Sequence, residues 1–165
     1  MKQLIFLFLF FIGTTTFAQT ITTDALRRSY QQVSTDSATC AKLYKKISSS
    51  TDSDNIQIAY RGAITASMAN HSKDKKEKLN LFNTGKKLLE QSIASDSANI
   101  ETRFLRFTIQ CNAPKALNYN KQLKADKDFI IKQYTNVSNL AVKRMISSFA
   151  QQCSALSETE KQKLK

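Results

Sequence analysis

Residues that break helices are scarce in this sequence. Its 165 residues include one proline, Pro114, and three glycines, of which Gly62 and Gly85 follow the N-terminal hydrophobic segment. Proline removes a backbone donor and glycine adds backbone freedom, so long stretches without either residue favour helices. No alternating pattern typical of a half-buried strand is present. The sequence therefore predicts an all-α fold.

Histidine is as scarce as proline, because the chain contains only His71. One histidine cannot form a histidine-based zinc site, and neither an H-E-x-x-H nor a C-x-x-C motif occurs. There is no G-x-S-x-G nucleophile motif, and Gly62 and Gly85 lie too far apart to build a phosphate-binding loop. We therefore expect His71 in a surface loop, no metal and no cofactor.

Acidic residues number 13, and a glycosidase would need two of them facing each other in a cleft. Many instead begin predicted helices, where a short acidic side chain caps backbone N–H groups. Those are Asp24, Asp36, Asp52, Asp54 and Asp96. Asp126 and Asp128 alternate with Lys124 and Lys127, a pattern that indicates a solvated face. We expect no catalytic residues and no enzymatic activity.

Only three cysteines are present: Cys40, Cys111 and Cys153. An odd number allows at most one intramolecular disulfide and leaves one thiol over. Cys111 and Cys153 each close a predicted helix, which makes them the preferred pair. The alternative is that all three are small buried apolar residues, as cysteine commonly is.

The one long hydrophobic run lies at the N-terminus. Lys2 precedes the apolar segment at residues 4–12, and Thr16 and Ala18 supply small residues at the −3 and −1 positions of a cleavage site. A transmembrane helix needs about 20 apolar residues, so this run is too short. No cysteine follows that could carry a lipid. We expect a signal peptide at 1–18, cleaved near Ala18, and a periplasmic or secreted chain without stable membrane insertion.

The remaining 147 residues (165 − 18) suit one domain, at 19–165. Hydrophobic periodicity predicts six to seven helices, followed by a polar, frayed tail from about residue 155. The predicted helices cover about 23–33, 37–48, 55–69, 73–94, 100–110, 123–134 and 140–153. In the fourth, we expect Leu79, Phe82, Leu89 and Ile93 to face inward.

A repeated stretch organises this domain. The segment DSDNIQIAYRGAITA, at 52–66, returns as DSANIETRFLRFTIQ, at 96–110, with a constant offset of 44 residues (96 − 52). In both copies Asp, Ser, Asn and Ile occupy the same places, and an aromatic residue follows, Tyr60 or Phe104. Repetition at this scale indicates stacked helical hairpins.

The D-S-x-N junction between a leucine-rich helix end and an aromatic helix resembles the junction between tetratricopeptide repeats over about residues 36–112. Serine replaces the usual proline, at Ser53 and Ser97, and the period exceeds that family's roughly 34 residues. The resemblance implies antiparallel helical hairpins with a groove. The segments RFLRFTIQ, at 103–110, Ala113-Pro114 and LNYNKQLKADKDFI, at 117–130, also resemble uncharacterised exported helical proteins of Gram-negative bacteria, which carry no assigned chemistry.

Positive charge is in clear excess. Without Lys2 the chain has 24 Lys and Arg against 13 Asp and Glu, a net charge of +11. Such a balance favours acidic partners. Nucleic acid is not expected as a partner. Export separates the protein from the DNA and RNA of the cell, and few aromatic residues accompany the lysines. The alternative function is therefore electrostatic binding of an anionic envelope polymer or lipid headgroups through the lysines of 115–144.

The preferred function is non-catalytic binding of another envelope or secreted protein along the hairpin groove. If that groove exists, the polar faces of the repeated helices should line it. Arg103 and Arg106 are the leading candidates for binding residues, followed by Asn99, Tyr60 and Arg61. Arginines near a helix start also often pair with nearby carboxylates, and this alternative stays open.

Overall fold

The computed structural model describes residues 21–33, 35–48 and 54–165, and the predicted signal peptide lies outside these ranges. The described residues form eight α-helices: α1 Thr23–Tyr30, α2 Ser37–Ser48, α3 Asn55–Met68, α4 Lys75–Ser95, α5 Ile100–Asn112, α6 Leu123–Gln133, α7 Leu140–Gln152 and α8 Glu158–Gln162. Two 3-10 turns, Lys115–Leu117 and Tyr134–Asn136, flank α6. No strand occurs within the described ranges. The predicted all-α fold is confirmed, with eight helices where six to seven were expected.

Short polar side chains begin most of the helices. Asp74 accepts a hydrogen bond from the Glu77 N–H at 2.7 Å, and Asn99 accepts one from the Thr102 N–H at 3.1 Å. Each such bond satisfies a donor that has no partner inside the helix, and its loss typically costs about 1 kcal/mol. Across the described part of the chain, no helix has the length and apolar character needed to span a membrane.

The helices α3 and α4 are antiparallel and pack with their backbones in close contact. At one end, the Ser92 hydroxyl near the end of α4 donates to the Asn55 carbonyl at the start of α3, at 2.9 Å. Near the middle, a Cβ atom added to Gly85 would lie 2.4 Å from both the Ala66 nitrogen and the Gly62 oxygen. That distance is far inside van der Waals contact, so this crossing requires glycine.

The two copies of the repeat are both helical, but they pack differently. Tyr60 in α3 and Phe104 in α5 correspond at the 44-residue offset, and both are buried. The same offset pairs Gly62 with Arg106 (62 + 44 = 106). Gly62 brings the α4 backbone against α3, whereas Arg106 extends a guanidinium group to Asp126 of α6. The second copy therefore does not reproduce the close crossing of the first.

The helix starts of the two copies also differ by one residue. Asp54 caps α3, whereas Asn99 caps α5, and Asn99 corresponds to Asn55 rather than to Asp54 (99 − 44 = 55). Asp52 and Ser53 of the first copy lie outside the described residues. The tetratricopeptide-like stacking of similar hairpins remains a prediction.

The C-terminal segment is folded against the domain, so the predicted frayed tail is wrong. Ser157 and Glu160 form a reciprocal capping box at the start of α8. Leu156 and Leu164 are 5% and 2% exposed, and Lys127 forms an ion pair with Glu160 at 2.7 Å. The sequence pattern missed this because the two leucines lie on either side of a strongly polar stretch.

Acid should loosen α8. A hydrogen bond from Lys127, followed by one from the Ser157 N–H, lowers the pKa of Glu160 from 4.5 to about 2. Because the pKa is lower in the folded state, this stabilisation is present above about pH 4.5 and is lost as the pH falls toward 2. Solvent screening limits it to less than about 1 kcal/mol.

Hydrogen exchange at the Leu164 amide should therefore accelerate between pH 5 and pH 3, after correction for the intrinsic exchange rate. Glu160→Gln should exchange faster at pH 5 and should show little further pH dependence. The control is Glu158→Gln, which alters an exposed carboxylate of the same helix. Equal pH dependence in wild type and Glu160→Gln would contradict this assignment.

Candidate functional site

Arg103 and Arg106 are held by a buried carboxylate. Arg106 donates through Nε to Asp126 Oδ2 at 2.6 Å and through Nη2 to Asp126 Oδ1 at 2.7 Å. Arg103 Nη1 adds a third bond to Oδ1 at 3.1 Å. Asp126 is 0% exposed and Arg106 is 5% exposed. The predicted solvated face for Asp126 is wrong, and Arg106 does not lie on an exposed polar face as expected of a groove-lining residue, while Asp128 is exposed as expected.

The ion pair extends into a longer network. Arg106 Nη1 also donates to Glu90 Oε2 at 2.8 Å, and the hydroxyl of Tyr119 donates to Glu90 Oε1 at 2.7 Å. Burial opposes the positive charge of Arg106, but its bonds and proximity to Asp126 and Glu90 outweigh burial and raise its pKa. Arg103 stacks on the Phe129 ring at 4.4 Å from its centroid. This network ties α4, α5 and α6 together.

Tyr60 belongs to a second internal network. Its hydroxyl donates to Glu101 Oε1 at 2.7 Å, and Arg27 binds both oxygens of Glu101 at 2.8 Å. Burial, and then the Glu101 charge, raise the pKa of Tyr60 well above its usual value. Tyr60 is 0% exposed and cannot line a groove, so that part of the prediction is wrong.

The remaining two candidates are only half-buried. Asn99 is occupied by capping α5, and Arg61 lies on α3 one residue after Tyr60. The five predicted binding residues therefore do not form one exposed surface. For Arg103 and Arg106, the alternative of pairing with carboxylates is the one observed, although Asp126 is 20 or more residues away along the chain.

No arrangement for metal binding is found in the described ranges, where His, Cys, Asp and Glu do not gather in groups of three. His71 is half-buried, and its Nε2 lies 3.3 Å from the Val33 carbonyl oxygen. Glu101 and Asp126 are the buried acids in the part of the chain that the structure describes, and both are engaged by arginines. These two carboxylates therefore hold the fold together.

The basic residues proposed for polymer binding are partly neutralised within the chain. Lys124 pairs with Asp128 at 2.6 Å, and Lys127 pairs with Glu160 at 2.7 Å. Lys143 lies over the Tyr134 ring, 5.1 Å from its centroid. Together with the pairing of Arg103 and Arg106, the two lysine ion pairs reduce the net charge that an anionic polymer could meet along this part of the surface.

An apolar cleft lies at one end of the bundle, where the ends of α1, α3 and α5 meet the start of α4 and the second half of α7. Its volume is about 480 Å³, within the range of roughly 300–1,000 Å³ that is usual for ligand sites. Its apolar lining comprises Tyr30, Val33, Ala66, Ala69, Leu79, Phe82, Phe104, Ile109, Ala113, Pro114, Ala116, Leu117, Met145 and Phe149.

Two buried hydroxyls of the cleft floor, those of Tyr30 and Thr108, are already hydrogen-bonded. Tyr30 and Thr108 share a hydrogen bond of 2.6 Å between their hydroxyls, and Thr108 also donates to the Leu105 carbonyl at 2.8 Å. The Phe149 ring packs edge-on against those of Phe104 and Phe107, with centroids 5.8 and 5.9 Å apart. This part of the floor is therefore suited to an apolar group.

Comparisons of the chain with protein-family models, with curated proteins and with solved structures found no match. Both resemblances drawn from the sequence therefore remain predictions. Any functional inference has to come from the residues themselves.

The rim of the cleft differs from its floor. Leu79 is 51% exposed, contrary to the predicted inward position, and Lys75 and Lys78 are exposed one turn or less before it. Four exposed amide side chains complete the rim: Gln31, Asn70, Asn112 and Gln152.

Sequence reasoning missed the cleft because its walls come from five helices far apart in the chain. The available signals were the two interruptions of helical periodicity, at 70–72 and at 112–114, which mark neighbouring helix ends at the rim. Neither signal shows that these ends meet around an apolar space.

Proposed function

We propose that this chain is a non-catalytic, exported binding protein whose cleft accepts an acidic, amphipathic segment of another envelope or secreted protein. The observation that supports this proposal is the combination of an apolar floor with a rim of lysines and amides. A helix presenting an apolar face to such a groove is a common mode of peptide recognition.

The size and chemistry of the floor favour an apolar anchor. The lining includes three phenylalanines and Met145, and aromatic and methionine side chains adapt well to inserted apolar groups. Burying one leucine or phenylalanine side chain contributes roughly 1.5–3 kcal/mol. One or two inserted side chains therefore contribute roughly 1.5–6 kcal/mol to binding.

The amides at the rim favour a peptide over a simple hydrocarbon ligand. Each primary amide carries two N–H donors and one acceptor oxygen, which complement the unpaired N–H and C=O groups at the ends of a helical segment. Asn112 donates from Nδ2 to the Thr108 carbonyl at 2.8 Å, which orients its amide. The other three amides make no such described contact within the chain and remain available to a ligand.

The lysines at the rim favour an acidic segment. Lys75 and Lys78 are exposed, and neither takes part in the ion pairs found among the described residues. Two unpaired cations beside an apolar opening attract carboxylates, and opposite charge raises the association rate more than the final affinity.

A photo-crosslinking amino acid placed at Leu79 tests this proposal in the producing cells. The matched control is the same substitution at Leu140, which is the other large hydrophobic residue with an exposed side chain among the described residues, at 65% against 51% for Leu79. We expect a crosslinked product from position 79 and none from position 140. Mass spectrometry of that product should identify an apolar segment flanked by Asp or Glu.

Two tryptophan substitutions make the test specific, because one should block the cleft and the other should not. Ser148 and Gln151 are both exposed residues of α7, but only Ser148 lines the cleft. Ser148→Trp should abolish the crosslink from position 79, and Gln151→Trp should leave it unchanged. Crosslinking from both positions, or to segments without apolar character, would contradict the proposal.

Binding of an anionic polymer or lipid headgroup is the alternative outcome. It would be insensitive to Ser148→Trp and would weaken steeply between low and moderate salt. Cleft binding should depend little on salt, because its main contribution is apolar burial. Measuring retention on anionic vesicles and on an anionic polysaccharide at two salt concentrations separates these functions.

A further inference from the structure

Two cysteines that are distant in sequence meet beside the cleft. Cys111 lies in the last turn of α5, and Cys153 immediately follows α7. Their Sγ atoms are 3.2 Å apart, across a sequence separation of 42 residues. We propose that Cys111 and Cys153 form a disulfide in an oxidising compartment, and that this bond fastens the α5 wall of the cleft to its α7 wall.

The third cysteine is placed so that it does not compete for disulfide formation with this pair. Cys40 is 0% exposed in α2, and its Sγ lies 3.9 Å from the Met68 sulfur. Burial raises the pKa of Cys40 to about 11, so it holds very little thiolate at neutral pH. Thiolate is the form that attacks a disulfide, and Cys40 should therefore remain reduced.

Cys111 and Cys153 are arranged for thiol–disulfide exchange. The Cys111 thiol lies within hydrogen-bonding distance of the Cys153 sulfur, and this contact lowers the pKa of Cys153 below its usual value. The Cys153 thiolate attacks a disulfide of an oxidant, such as glutathione disulfide, and expels one thiolate. Cys111 loses its proton and attacks Cys153 Sγ, expelling the second thiolate. Two protein thiols are oxidised, and one disulfide of the oxidant is reduced to two thiols.

The position of the bond connects it to the cleft. Asn112 and Ala113 follow Cys111 directly, Gln152 precedes Cys153, and all three line the cleft. Away from these cysteines, the Phe149 ring of α7 packs against the Phe104 and Phe107 rings of α5. A covalent link beyond that ring fixes the separation of the walls at the rim.

The test uses the purified full chain, first fully reduced and then incubated under native conditions with glutathione disulfide. The expected product has lost about 2 Da, for two hydrogens, and carries one alkylatable thiol after denaturation. Peptide mapping should find Cys111 joined to Cys153 and Cys40 alkylated. Cys40→Ser should form the same bond, and Cys111→Ser should form none that closes within the chain.

The consequence for the walls is measured on the same material. Reduction should lower the thermal midpoint of the oxidised wild type by on the order of 10 °C and should speed hydrogen exchange at residues 150–156. Cys111→Ser with Cys153→Ser should show no response to reductant. If that variant does not fold, the thermal midpoints of the wild type with and without reductant still show whether the bond stabilises the walls.

Stable glutathione adducts, three free thiols after incubation, or a bond that includes Cys40 would each overturn the proposal. An unchanged thermal midpoint in a bonded protein would overturn the role in fastening the walls. Neither measurement involves a ligand of the cleft, so these outcomes are independent of the proposed binding function.

Discussion

Asp126→Asn is expected to lower the free energy of unfolding by about 3–5 kcal/mol. The substitution keeps the shape of the side chain but removes its charge, which leaves Arg106, 5% exposed, with Glu90 as its remaining acidic partner. A buried cation cannot recover the hydration that it lost on folding. Urea unfolding of the two proteins, followed by circular dichroism, measures the difference.

Asp128→Asn is the matched control, because it removes the same charge two residues away. Asp128 is exposed and pairs with Lys124 across one turn of α6, and such surface pairs contribute about 0–1 kcal/mol. Similar losses for the two variants would contradict the buried-pair interpretation.

A double substitution separates charge from packing. Arg106→Met with Asp126→Leu removes both buried charges and fills the space with apolar atoms, and replacing a whole buried pair in this way is often neutral. We therefore expect the double variant to be more stable than Asp126→Asn. A loss equal to or larger than that of the single variant would show that the network's geometry, including the contacts of Arg103 and Glu90, matters more than the unpaired charge.

Gly85→Ala is expected to lower the free energy of unfolding by about 2 kcal/mol. A mid-helix alanine is normally about 1 kcal/mol more favourable than glycine. At this position the added Cβ would lie 2.4 Å from the Ala66 nitrogen and from the Gly62 oxygen. Both are backbone atoms, so α3 and α4 must move apart, and overpacking of this kind costs about 1–3 kcal/mol or more.

Thr84→Ala provides the control in the same turn of α4. Thr84 is exposed, so its replacement should leave stability unchanged or raise it slightly through helix propensity. The measurement is again urea unfolding, with thermal unfolding as a second probe. A stabilised Gly85→Ala variant would mean that α3 and α4 do not cross as closely as described.

The local features of the fold were predictable because they depend on neighbouring residues. Helix α2 was predicted at 37–48 and is observed at Ser37–Ser48, since its start and its apolar spacing both lie within a dozen residues. Other helices differ by a few residues at their ends. The prediction of a frayed tail was wrong because Leu164 is buried only by contact with the rest of the domain.

The candidate site was less predictable because charge patterning describes a helix in isolation. The alternation of Asp126 with lysines is typical of a solvated face, yet Asp126 is buried and is bound by Arg103 and Arg106 of α5. Tyr60 likewise contacts Glu101, 41 residues away. In both cases the partner lies on another helix, so the residue pattern of a single helix does not indicate which residue it will contact.

The sequence alone determined that this chain is helical, where most helices begin and which residues could cap them. Those properties follow from backbone hydrogen bonding and from apolar spacing over one or two turns. Only the tertiary structure decided which charges are buried, which glycines allow close packing and where the cleft opens. These depend on contacts between residues tens of positions apart, which helix packing brings together and local periodicity does not specify.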